Sequence, residues 1–413
     1  MHRPFLFSGS GWCNPIAAQC LFPKNQLSLA MRVLLYLCFA ILPTNFLLSQ
    51  SSGSYQQALE KINAFQFEQA LHLLADCYSI DANDLDCLLK IGYCHLQIGR
   101  YEDAKLFFNQ SLKIDSSNAT ALSSLGMIYE REANYRKAMS YYLQLIGLDS
   151  LNSYYQKRAG YMAVRMDNSI VGIGFFLKAH ELQTNDLETI DQLSELYIAM
   201  NELDFAEQMI EKGLVLAPNN IQLLRNKARV HTKRQEYEEV VSALEKTMAQ
   251  GDTTEYYQLM AGVAYLQIDS VEQALFHLQR VLDRGEETEH VHHYLGRAYQ
   301  AQGEIDAAQH HYEKAIQLGI SSKMGLFHAD LAKLFDEKNQ LKSALEHYTL
   351  AYQYSQSPEH LFQLARASDI YYKDKKVALR YYEQYLQTSH GKYRSFTEGR
   401  VLELKEYLHL RGG

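Results

Sequence analysis

In residues 295–316, LGRAYQAQGEIDAAQHHYEKAI, small and aromatic residues recur at fixed spacings. Gly296, Tyr299, Ala308, Tyr312 and Ala315 lie 3, 9, 4 and 3 residues apart. Residues three or four apart share one face of a helix, so each half of the stretch predicts a helix. Gly303 falls between the halves, where glycine breaks a helix. The pattern therefore predicts two helices joined by a tight turn. Small residues mark where the helices approach closely, and the tyrosines fill the space beside them.

The arrangement recurs from Ile91 and from Leu125, 34 residues apart. Periodicity of this length fixes the architecture before any other reading. It divides the chain into ten repeats: 51–84, 85–118, 119–152, 153–186, 187–220, 221–254, 255–288, 289–322, 325–358 and 359–392. Lys323 and Met324 are the one interruption of the register. Position 20 of the repeat is Ala70, Ala104, Ala138, Gly172, Ala206, Val240, Ala274, Ala308, Ala344 and Ala378, small in nine of ten cases. Position 8 is small in nine of ten, from Ala58 and Gly92 to Ala332, with Arg366 the exception. Position 24 is large throughout, for example Phe108, Tyr142, Tyr312 and Tyr382.

This register resembles the tetratricopeptide repeat family over Ser51 to Lys392. The resemblance implies an all-α fold, a right-handed α-solenoid of about ten helix–turn–helix repeats, with 393–413 as a C-terminal capping helix. The departures are local. The family's usual Trp near the repeat start is replaced by Leu88, Leu122, Ile190, Leu224 or Phe362, and its terminal Pro survives only as Pro218. Repeat four carries Ala163 in place of a Tyr, and Gly172 and Gly174 loosen its second helix. Repeat six has Lys227 where an apolar residue belongs.

The formal net charge is −8, and the chain carries no basic stripe. That argues against nucleic acid as the main partner. Six prolines and no low-complexity run leave little room for flexible linkers. The N-terminus differs from the rest. Arg32 precedes an apolar run of ten residues, Val33 to Leu42, and Leu47, Leu48 and Ser49 offer a cleavage site before Gln50. This is the layout of a secretory signal peptide at 31–49. The run is short of the ~20 residues that span a membrane. The expectation is an exported protein, periplasmic or extracellular, with no stable membrane insertion after signal removal; an uncleaved anchor over Val33 to Leu48 is the alternative. Residues 1–30 precede the true start at Met31 or form a non-folded extension.

Candidate chemistry is sparse. Cys77, Cys87 and Cys94 form an odd set for an oxidising compartment. Cys77 and Cys87 flank a helix–turn–helix junction that a disulfide can bridge; three buried apolar thiols are the other reading. His290, His292, His293, His310 and His311 cluster in repeat eight. In the repeat frame His290 and His293 face one surface, His292 packs inward, and His310 and His311 point outward. They diverge, so no metal site is expected. No P-loop, HExxH pair or GxSxG elbow occurs. No catalytic residues, no cofactor and no enzymatic activity are expected.

What remains is surface. The resemblance implies that first-helix positions 2, 5, 9 and 12 line a concave groove for a protein or peptide ligand. Tyr256, Leu259, Val263 and Leu266 make an apolar patch there in repeat seven. Repeats one and two contribute Tyr55, Leu59, Ile62, Leu89, Tyr93 and Leu96. Arg225, Arg229 and Lys233 form a basic row in repeat six, with Glu188, Asp191 and Glu195 of repeat five able to neutralise it. The family's carboxylate clamp needs Asn at position 9, which is absent here. The best reading is a non-catalytic envelope scaffold. A glycan-binding accessory of envelope polymers and a self-assembling structural component are the alternatives; the oligomeric state is left open.

Overall fold

A computed structural model describes residues 53–319, 322–388 and 391–411. Among these residues there are helices and turns and no strand. The helices come in pairs: α1 (53–63) with α2 (Phe67–Ile80), α3 (Leu85–Gln97) with α4 (Tyr101–Ile114), α5 (Ala119–Arg131) with α6 (Tyr135–Leu148), and α7 (Ser153–Arg165) with α8 (Ser169–Leu182). These make one compact body, which ends at Leu182. The second begins at Gln183. It holds α9 (Leu187–Ala199) with α10 (Leu203–Leu216), α11 (Ile221–Arg234) with α12 (Tyr237–Met248), and α13 (Glu255–Gln267) with α14 (Val271–Leu282). Then come α15 (Glu289–Gln302) with α16 (Ile305–Leu318), α17 (Met324–Glu337) with α18 (Leu341–Ser355), α19 (Pro358–Tyr371) with α20 (Lys376–Thr388), and the single α21 (Arg394–Arg411). The architecture is an all-α helical-repeat solenoid.

Three local devices explain why each repeat folds this way. First helices start at an oxygen-bearing cap: Asp84, Asn118 and Asn220 accept from the backbone N–H of Cys87, Ala121 and Leu223 at 3.0, 3.0 and 3.1 Å. Such a cap satisfies one of the open N–H groups of a helix start. Position 15 then reverses the chain in a left-handed conformation, in Gly99 and Gly303 but also in Phe65, Ala133, Asp167, Asn201, Gln235, Asp269 and Asn339. Finally, the position-24 side chain lies on the position-8 glycine. A Cβ on Gly92 would sit 2.9 Å from the Phe108 ring, and one on Gly296 2.7 Å from the Tyr312 ring. The position-20 residues Ala70, Ala104, Ala138, Ala206, Ala274, Ala308, Ala344 and Ala378 are wholly buried, as helix crossings require.

The register departs from expectation in repeat ten. Ala365, not Arg366, is the buried small residue that faces Tyr382; Arg366 is exposed. The cause is in the turns. Only residues 356–357 separate α18 from α19, and 372–375 make a longer turn than the three-residue 338–340. This turn has no left-handed non-glycine residue. The two extra residues at 323–324 remain, since the left-handed turns Gly303 and Asn339 are 36 residues apart, and Met324 is taken up as the first residue of α17. Gly172 and Gly174 do not loosen α8, which runs unbroken for 14 residues. Gly172 is closely packed: a Cβ there would sit 2.6 Å from Val164 Cγ2, which would have to shift. Lys227 keeps its place by reaching back to Glu211 of α10 at 2.7 Å, so its charge stays wet while its stem packs.

Candidate functional site

The first-helix face carries the expected apolar patch only in part. Tyr256 is 57% exposed and meets Tyr257 edge-on, with ring centres 5.0 Å apart. Val263 is half-buried. Leu259 and Leu266 are half-buried against the core built on Leu278, Val291 and Leu295. In the first body Tyr93 is partly exposed, whereas Tyr55, Leu59 and Ile62 are half-buried, Tyr55 and Ile62 against the core around Leu74. Leu96 is buried and belongs to the core around Phe108, not to a groove lining.

The basic row of repeat six is already partnered. The Arg225 guanidinium grips Asp252 with two hydrogen bonds of 2.9 and 2.7 Å, also donates to Thr254 Oγ1 at 2.8 Å, and lies 4.7 Å over the Tyr257 ring. Arg225 hydrogen bonding holds the Asp252 carboxyl at about 2. Arg229 lies 3.7 Å from Glu195 and donates to Asn226 at 2.8 Å. Lys233 donates to Asn201 at 3.4 Å. Of the repeat-five acids, Asp191 accepts from Asn226 at 2.9 Å instead of meeting an arginine directly.

Other cations lie on the same face. With the corrected register, position 9 of repeats eight, nine and ten is Arg297, Lys333 and Arg366. Among the described residues no ion pair involves any of the three; Arg366 donates only to the neighbouring Gln363 at 3.0 Å. Nearby acids are occupied elsewhere: Asp330 by His293 at 2.7 Å, Glu337 by Gln300 at 2.8 Å, Asp336 by Tyr348 at 3.0 Å. Arg297, Lys333, Gln300 and Leu326 help line an open cleft of about 620 Å³. The one-residue slip in repeat ten hid the third member, because it moved Arg366 from position 9 to position 8; Arg297 and Lys333 stand at position 9 in the sequence register too.

The histidines do not diverge as expected. His293 is buried on Asp330, and His311 turns toward His292, with the two Nδ1 atoms 2.9 Å apart. Among the described residues no three His, Cys, Asp or Glu side chains are grouped to hold a metal. The three cysteines are free and buried. Burial pushes the Cys94 thiol up to about 11 and raises Cys77 and Cys87 as well, so none is a ready nucleophile. No helix of the described residues is long and apolar enough to cross a membrane. The signal-peptide reading of 31–49 and the extension 1–30 lie outside the described residues.

Family models described as tetratricopeptide repeat match residues 62–126, 121–152 and 290–319. Over these residues the chain carries tetratricopeptide repeats. Proteins of this class are in general non-catalytic scaffolds for protein interaction. No curated protein matches the chain. Among solved structures it is similar to a tetratricopeptide repeat protein from Parabacteroides merdae, at 17% identity over 60% of this chain and 98% of that one, with a TM-score of 0.44. PilF of Pseudomonas aeruginosa matches at 18% identity over 51% of this chain and 96% of its own, with a TM-score of 0.42. YrrB, described as having an unusual peptide-binding site, matches at 19% identity over 44% and 93%, with a TM-score of 0.40.

Proposed function

We propose that the first-helix face of the second body binds an extended acidic and apolar segment of a protein partner. The observation that carries this reading is the position-9 row Arg297, Lys333 and Arg366, which has no ion-pair partner among the described residues. Cations left unpaired beside an open cleft attract carboxylates and steer encounter, while apolar contact slows release. Tyr256, Leu259, Val263 and Leu266 supply the apolar contact, with Tyr55, Leu59 and Tyr93 as its counterpart in the first body. Arg225, Arg229 and Lys233 frame the patch and hold the helices in register. Panning a displayed random-peptide library against the full chain tests this. Enriched peptides should combine Asp or Glu with apolar residues. Arg297→Glu with Lys333→Glu should weaken them about tenfold and flatten the salt dependence, and Leu259→Asp should speed release. Wild-type affinity in both helical variants sinks the proposal.

The place of action proposed is the cell envelope, on the strength of the 31–49 pattern. Cleavage after Ser49 would remove Trp12, the only tryptophan. The purified native protein should then emit as tyrosine alone, and a tryptophan band rules the cleavage out.

A further inference from the structure

Position 4 of a repeat touches position 23 of the same repeat, and in repeats seven to nine this inner contact is polar. In repeat seven it joins Gln258 Oε1 to His277 Nδ1 at 2.8 Å. In repeat eight His292 Nδ1 lies 2.9 Å from His311 Nδ1. In repeat nine His328 Nδ1 lies 2.9 Å from His347 Nδ1. His292 and His328 are buried, and aromatic rings close over the pairs: Tyr299 stacks on His311, Tyr354 on His328, and Phe335 lies beside His347. One imidazole pair is thus built twice at equivalent positions, next to a repeat that solves the same contact with an amide.

The proton count of such a pair is constrained. A nitrogen–nitrogen contact of this length holds one hydrogen, with one Nδ1 donating and the other accepting. The Glu287 carboxylate, 3.1 Å from His292 Nε2, only accepts, so Nε2 carries the hydrogen there. His292 Nδ1 is then the acceptor and His311 the donor. A second hydrogen between the two Nδ1 atoms would set two N–H groups head to head in a buried space. A folded pair therefore takes up fewer protons than two separate histidines. The titratable groups facing the pairs are Glu287, His310, Glu313 from α16 and Glu346.

We propose that the two imidazole pairs make repeats eight and nine an acid-labile segment, closed at neutral pH and opening below about pH 6. Repeats without a buried histidine stay closed over the same range. Burial, then the neighbouring imidazole, holds His311 and His328 down to about 4, and burial lowers His347. A folded value below the ordinary one of about 6.5 gives stability that is complete above that pH. It is lost as the pH falls from there toward 4. Repeats five and six respond with the opposite sign. Burial, with Glu195 adding and Arg229 opposing, raises the Asp191 carboxyl to about 6. That carboxylate weakens the fold above pH 6 and ceases to do so on acidification.

Hydrogen exchange of the full chain at pH 7.5 and 5.5, corrected for intrinsic rates, tests the proposal. One excluded proton raises the opening constant of its helices roughly tenfold between these conditions. Protection in α15–α18 should fall by that factor, while α5, α6, α9 and α10, which hold no histidine, keep theirs. His292→Gln with His328→Gln rebuilds the Gln258–His277 arrangement and should return α15–α18 to the pH response of α13–α14. Equal loss in all helices of the wild type, or undiminished loss in the double variant, overturns it. Should the variant fold poorly, imidazole ¹⁵N shifts of the wild type decide. In each pair one imidazole should stay neutral at pH 5.5; titration of both members of a pair near 6.5 refutes the device.

Discussion

In most repeats the side chain at position 24 is matched by that at position 12; Leu244 with Thr232 is an exception. The tyrosine hydroxyls of Tyr142, Tyr312 and Tyr348 meet Glu130, Gln300 and Asp336 at 3.3, 2.9 and 3.0 Å, each twelve residues earlier. Where position 24 is Phe108, Phe176 or Leu278, position 12 is Leu96, Val164 or Leu266. The reason is the cost of a buried hydroxyl without a partner, ~1–3 kcal/mol. Asp336→Leu should therefore destabilise by about that amount. Tyr348→Phe alone strands a carboxylate that had a donor. The double variant rebuilds the Phe108–Leu96 pair and should recover most of the loss. Urea denaturation of the four proteins measures the coupling, expected at ~1 kcal/mol or more. Additive losses would mean that the hydroxyl finds another partner.

At the scale of elements, most helices were legible because their apolar spacing repeats ten times over. The turns were less so. Gly99 and Gly303, and to a lesser degree Asp167, Asn201, Asp269 and Asn339, carry residue types that a left-handed turn favours; Phe65, Ala133 or Gln235 at the same place gives no signal, and their conformation is imposed by the helices on either side. The repeat-ten slip was hidden for a related reason. A residue lost near 356–357 and one gained at 372–375 nearly cancel, and Ala365 stands beside Arg366. The candidate site was legible where one residue suffices, as at exposed Tyr256. It was not where two distant residues decide. Arg225 reads as a free cation until the turn after α12 brings Asp252 to it. His292 and His311, 19 residues apart, read as diverging because a helical wheel places directions and not side-chain rotamers.

For the molecule as a whole, stability should be a local quantity. In a helical-repeat array each repeat is held by its own pair contact and by its neighbours, so perturbation decays along the chain. Ala308 is wholly buried in the cluster that joins Tyr312 of α16 to Leu331, Ala332 and Phe335 of α17. A leucine there adds atoms where the helices cross and should cost ~1–3 kcal/mol. The loss should appear as faster hydrogen exchange in α13–α18, with α3–α6 of the first body unchanged, since no part of that body packs in the Ala308 cluster. Measurement at pH 7.5, above the acid range, separates this effect from acid opening. If protection instead falls by the same factor from α3 to α20, the chain unfolds as one cooperative block. The acid-labile segment could then not open on its own either, because a block with one transition spreads any local proton penalty over its full length.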